Sequence, residues 1–208
     1  MIYNDSFPSK AEAEAILEKG YKEIPGPWAN HCRLVAYAAQ TIANKCGMDG
    51  DRAYVSGLLH DIGYSEFRDF KGHSCHIILG HNIMLNLGYG AIARICLSHS
   101  FPIKIIEAYG GKDKNFSSAE KEMVSSFLSK ANFNDYEKLI QLCDTLATSE
   151  SICLMEKRMV DVVRRNGFSE YTVEKWEATF ALKQYFNNLC GENIYNFFTD
   201  EITTDVLK

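Results

Sequence analysis

Six ionisable side chains fall where a helical chain ordinarily places aliphatic ones. His31 shares a stripe with Leu34, Val35, Ala38 and Ile42, at spacings of three, four, seven and eleven residues that put all five on one side of a helix. His60 and Asp61 close the largely apolar run Tyr54-Val55-Ser56-Gly57-Leu58-Leu59, with Gly63 just beyond. His76 lies one turn before Leu79 and Gly80, His99 follows Ile92, Ile95 and Cys96, and Asp144 is flanked by Ile140, Cys143 and Ala147. Burying such a group without a partner costs roughly 1 to 3 kcal/mol, and more for a charge. A fold for this chain must give each of them a partner. Adjacent helical residues point about 100° apart, so His60 and Asp61 reach one centre only if it lies at the helix end. Gly57, one turn earlier, bares that face despite a helix penalty of about 1 kcal/mol, which predicts close approach of another backbone.

A cation among these groups removes the conflict, and their mix of nitrogen and oxygen suits zinc, manganese, iron or cobalt. A single histidine on an apolar face is more often a hydrogen-bonded core residue. His81, five positions from His76 and pointing elsewhere on the helix, is read that way. His73, in the loop before that helix, is left under the same reading or else faces a substrate.

Helix punctuation recurs along the chain, and strand punctuation is almost absent. Ser9 caps a first helix that stops at Gly20. Pro27 opens a second that stops at Gly47, and Asp49-Gly50 precedes a third over 51–60 rather than forming a hairpin. Further helices are expected over 74–88 and 91–99, the latter closed by Pro102. Ser117 with Glu120 forms a capping box for a helix through Phe127, and Asn134 caps another through Leu146. Helices over 152–166 and 173–190, the second capped by Thr172, and an amphipathic segment over 194–207 complete an all-α bundle of about nine to ten helices.

At 208 residues and 46% hydrophobic content, one domain covering 1–208 accounts for the chain. The net charge of −5 gives no general attraction to nucleic acid or an anionic membrane. The N-terminus has no basic stretch followed by an apolar run, and no segment approaches 18 apolar residues, so a cytoplasmic protein without a membrane partner is expected. Seven cysteines, odd in number and without a CxxC pair, read as reduced, buried thiols.

Taken in order, His31, the pair His60-Asp61 and Asp144 resemble the H…HD…D signature of the HD superfamily of metal-dependent phosphohydrolases. Leu58-Leu59-His60-Asp61-Ile62-Gly63 is similar to that family's LLHDIG core. His76-Ile77-Ile78-Leu79-Gly80 with Leu87-Gly88-Tyr89 resembles its third-ligand helix, and Ile95-Cys96-Leu97-Ser98-His99-Ser100 its fourth. The likeness spans roughly residues 27 to 150 and leaves 151–208 as a helical extension. It implies that His31, His60, Asp61 and Asp144 bind a first divalent transition-metal ion, of manganese, iron, zinc, cobalt or nickel, and that Asp61 bridges to a second held by His76 and His99. Diadenosine-tetraphosphate hydrolases of the superfamily resemble the chain in this extended set. Tyr64, Ser65 and Ser100 depart from their pattern, so no particular substrate is carried over.

The chemistry implied is attack of a metal-activated water on phosphorus, with Asp61 orienting the water. Arg68 and His73 are the further catalytic candidates, and Arg33, Lys71 and Lys104 the candidates for phosphate contacts. Lys157, Arg158, Arg164 and Arg165 read as a solvated helix face. A small phosphorylated, nucleotide-like partner is expected, and a homodimer is allowed. Two other classes compete: a di-iron oxygenase with the same ligands, and a non-catalytic binding module on the same scaffold.

Overall fold

The computed structural model describes residues 3–68, 75–111 and 115–202. Among them the chain is all-α: nine α-helices and three short 3-10 turns, with a single isolated bridge between Ala147 and Ile152 in place of any strand. The helices are α1 Lys10–Glu23, α2 Pro27–Lys45, α3 Gly50–Leu59, α4 His76–Asn86, α5 Gly90–Ser98, α6 Ser118–Lys130, α7 Asp135–Asp144, α8 Met155–Asn166 and α9 Thr172–Cys190.

Local chemistry sets most of these boundaries. Ser9, Ser117 and Asn134 each accept a backbone N–H from a glutamate three residues on, and that glutamate reaches back to the cap, so α1, α6 and α7 all start with reciprocal capping boxes. The Asp49 carboxylate accepts from the N–H groups of Asp51 and Arg52 to open α3. Some expectations need correction. Thr172 is the first residue of α9 rather than its cap, because its hydroxyl is spent accepting the Ser169 N–H. The helix expected from residue 152 starts at Met155, because Ile152 pairs with Ala147 and the Cys153 N–H donates to the Leu146 carbonyl. The amphipathic segment expected over 194–207 opens as a 3-10 turn, Ile194–Phe198, within the described residues.

α2 and α3 pack along the line that Gly57 opens: a Cβ there would lie 2.7 Å from the Ala36 Cα and backbone nitrogen. Gly63 does the same for α4, since a Cβ would sit 1.9 Å from the His76 carbonyl oxygen. α7 lies against α2, α3 and α5, and α9 against α7 and α2. One buried cluster runs from Leu17 and Ile42 through Leu58 and Leu139 to Phe186, Ile194 and Phe198, so side chains beyond residue 150 fill the same core. A second, around Ile77, Leu97, Phe101, Tyr109 and Leu128, joins α4, α5 and α6.

The cysteine expectation is overturned at one pair. Cys46, at the end of α2, and Cys190, at the end of α9, form a disulfide across 144 residues. The other five are buried free thiols. The ends of two adjacent helices bring together residues whose sequence spacing carries no pairing information.

Candidate metal centre

Helix ends deliver the six residues. His60 caps α3 at its C-terminus and Asp61 follows it; His99 caps α5; Asp144 is the last residue of α7; His76 is the first of α4; His31 projects from the second turn of α2. Three helix C-termini therefore meet here, and their partial negative charge favours a cation. Ligand atoms of His31, His60 and Asp61 lie within 4.8 Å of one another, as do those of His60, His99 and Asp144, and those of Asp61, His76 and His99.

Asp61 is the hub. Its Oδ1 is 3.1 Å from His76 Nε2 and 3.2 Å from His99 Nε2, and its Oδ2 is 3.5 Å from His60 Nε2. At the other end, His31 Nε2 is 3.0 Å from Asp144 Oδ1. His60 is wholly enclosed, and Asp144 is the more open of the site's two carboxylates, its side chain 27% exposed against 11% for Asp61.

The protons decide what this arrangement can hold. His60 Nδ1 is 2.7 Å from the Gly57 carbonyl, His99 Nδ1 is 3.0 Å from that of Cys96, and His31 Nδ1 is 3.4 Å from that of Thr148. A carbonyl only accepts, so each of these Nδ1 atoms carries a hydrogen and donates it. Burial holds His60 neutral, pushing its pKa down to about 4. Burial also works against ionisation of Asp61 and Asp144, yet the imidazoles around them outweigh it and hold both carboxyls below their ordinary range. His60, neutral and with its hydrogen on Nδ1, turns the Nε2 lone pair toward Asp61, and that Nε2 is buried without a hydrogen-bond partner. A buried lone pair beside a carboxylate, with further imidazoles within 3.2 Å of that carboxylate, fits a cation.

The remaining candidates are dispersed. Arg33 is paired with Glu18 on α1, and Lys104 donates to the Ala131 carbonyl and lies over the Phe133 ring. Arg68 is exposed at the edge of a described stretch, and Lys71 and His73 lie outside the described residues. On α8, Arg158 and Arg165 pair with Asp161 of the same helix. His81 is buried between the Tyr3 hydroxyl and Asn82, the satisfied core histidine anticipated. Two residues at the site carried no sequence signal for a role. Tyr64 stacks on His76, with ring centroids 4.4 Å apart, and the Tyr109 hydroxyl lies 3.0 Å from His76 Nδ1.

Fold and site together define an all-helical scaffold that gathers imidazoles and carboxylates able to bind a metal ion. The model of the HD domain family matches residues 28–149, and the chain belongs to that family, whose members are generally metal-dependent hydrolases. No curated protein and no solved structure matches it significantly.

Proposed function

We propose that the chain is a metal-dependent phosphohydrolase acting on a small, nucleotide-like phosphate ester. The observation that carries this reading is the buried, unpartnered His60 Nε2 facing Asp61, whose Oδ1 is shared by His76 Nε2 at 3.1 Å and His99 Nε2 at 3.2 Å. His31, His60, Asp61, His76, His99 and Asp144 would hold one or two ions of manganese, iron, zinc, cobalt or nickel. An ion bound there supplies the positive charge that brings a water's pKa down toward about 7 and offsets charge building on phosphoryl oxygens. Asp61, with its two oxygens toward different imidazoles, orients the attacking water. Asp144, at the open side, marks the direction of substrate entry. Arg68, Lys71 and His73 are proposed to meet the phosphate and the leaving group. A net charge of −5 makes such local cations necessary for an anionic substrate. Arg33 and Lys104 are not carried forward, because other partners engage them.

The test is an anaerobic assay with Mn²⁺ on nucleotides, dinucleoside polyphosphates and a nitrophenyl phosphodiester, comparing wild type with Asp61→Ala. Wild type releases phosphate or nitrophenol, and the variant loses more than about 100-fold, beyond the usual effect of residues outside the ligand set. Oxygen consumption by iron-loaded protein without hydrolysis would replace this reading with the di-iron oxygenase. Metal binding without any turnover would replace it with the binding module.

A further inference from the structure

Three of the four imidazoles are oriented by backbone carbonyls, and the fourth by a side chain. His76 Nδ1 lies 3.0 Å from the Tyr109 hydroxyl, which in turn lies 3.1 Å from the Cys75 thiol. A phenol donates as readily as it accepts, so this bond can run either way. When Tyr109 donates to Nδ1, the His76 proton sits on Nε2, 3.1 Å from Asp61 Oδ1 and 3.4 Å from His99 Nε2, and fills the space between them. When Nδ1–H donates to Tyr109, Nε2 presents a lone pair to the same space. The ring has little room to rotate out of this choice. Tyr64 covers its face at 9° from parallel, and Tyr109 is itself held between Phe101 and Phe116, with ring centroids 5.8 and 5.4 Å away.

We infer that Tyr109 is a positioning residue for His76, and that it governs whether the subsite of Asp61, His76 and His99 accepts a second divalent cation. The subsite around His31, His60 and Asp61, whose histidines are fixed by carbonyls, does not depend on it. The inference rests on the metal-centre reading proposed above. Removing the hydroxyl takes away the acceptor that Nδ1–H uses when Nε2 is a ligand; the blocking form loses the donor to its Nδ1 but keeps Asp61 as the acceptor of its Nε2–H. Loss of an outer partner of a ligating histidine commonly weakens metal binding by about 10- to 100-fold.

The experiment is calorimetric titration of Mn²⁺ into chelator-treated wild type and Tyr109→Phe, with circular dichroism to verify the fold. Wild type is expected to bind two ions, and Tyr109→Phe to bind the first with affinity within about twofold and the second at least about tenfold more weakly. Two ions bound equally well by both proteins, two ions weakened together, or one ion bound by both would each overturn the role of Tyr109 while leaving the metal centre standing. No ion bound by wild type would overturn the metal-centre reading and this inference with it. If Tyr109→Phe fails to fold, Cys75→Ala serves instead. It removes the thiol that donates to the phenol and leaves the phenol to accept from Nδ1. The second ion should then bind at least as tightly as in wild type, and weaker binding would overturn the inference.

Discussion

At the residue scale, the site depends on which atom of each imidazole carries a proton. The hydrogens on the Nδ1 atoms of His60, His99 and His31 answer to carbonyls at Gly57, Cys96 and Thr148, groups that no side-chain pattern reveals. The ligand candidates were legible in the sequence because a polar residue on an apolar helix face is conspicuous. Tyr109 was not, because it lies outside any helical stripe and acts through His76. Burial also sets a pH dependence. His60 is pushed down to about 4, and His81 is lowered as well, in both cases chiefly by desolvation. Unfolded, each titrates near 6.5, so below that pH the unfolded chain binds more protons and is favoured. Their contribution is present above pH 6.5 and is lost as pH falls toward 4. For His60 alone it is on the order of 3 kcal/mol. Metal-free protein in EDTA should show a lower urea midpoint at pH 5.0 than at pH 7.5. An equal or higher midpoint at pH 5.0 contradicts this account of the buried rings.

At the scale of elements, two glycines bring the ligand-bearing helices together. Gly57→Ala places a methyl group 2.7 Å from the α2 backbone at Ala36, and overpacking of this kind costs about 1 to 3 kcal/mol. Gly63→Ala meets the His76 carbonyl at 1.9 Å, so α4 and its imidazole must move. Both variants should unfold at lower urea than wild type, and Gly63→Ala should also bind Mn²⁺ more weakly. Wild-type urea midpoints in both would show that the helices do not approach as described. Gly57 was legible as a contact in the sequence because its cost within a helix demanded a reason. Helix starts at Ser9, Ser117 and Asn134 were legible because a capping box is local. The start of α8 was not, since it depends on a bridge from Ile152 to Ala147, and neither was the disulfide, since spacing does not pair Cys46 with Cys190.

At the scale of the whole molecule, residues beyond 150 are built into the core through Phe186, Ile194 and Phe198 and fastened by the Cys46–Cys190 bridge. Alkylation of denatured, unreduced protein should label five thiols, and prior reduction should raise the number to seven. Reduction should also lower stability by about 2 to 4 kcal/mol. Seven labels without reductant would remove the bridge. Such bridges are rare where glutathione keeps thiols reduced, so the same count made in intact cells tests the cytoplasmic expectation. The central claim is that remote imidazoles and carboxylates share a cation. It is tested most directly by elemental analysis of protein purified without added metal, alongside Asp61→Ala. At least one equivalent of a transition metal per wild-type chain is expected, and far less in the variant. A folded wild-type protein that carries no metal, and takes up none when micromolar Mn²⁺, Fe²⁺, Zn²⁺, Co²⁺ or Ni²⁺ is supplied, would contradict it.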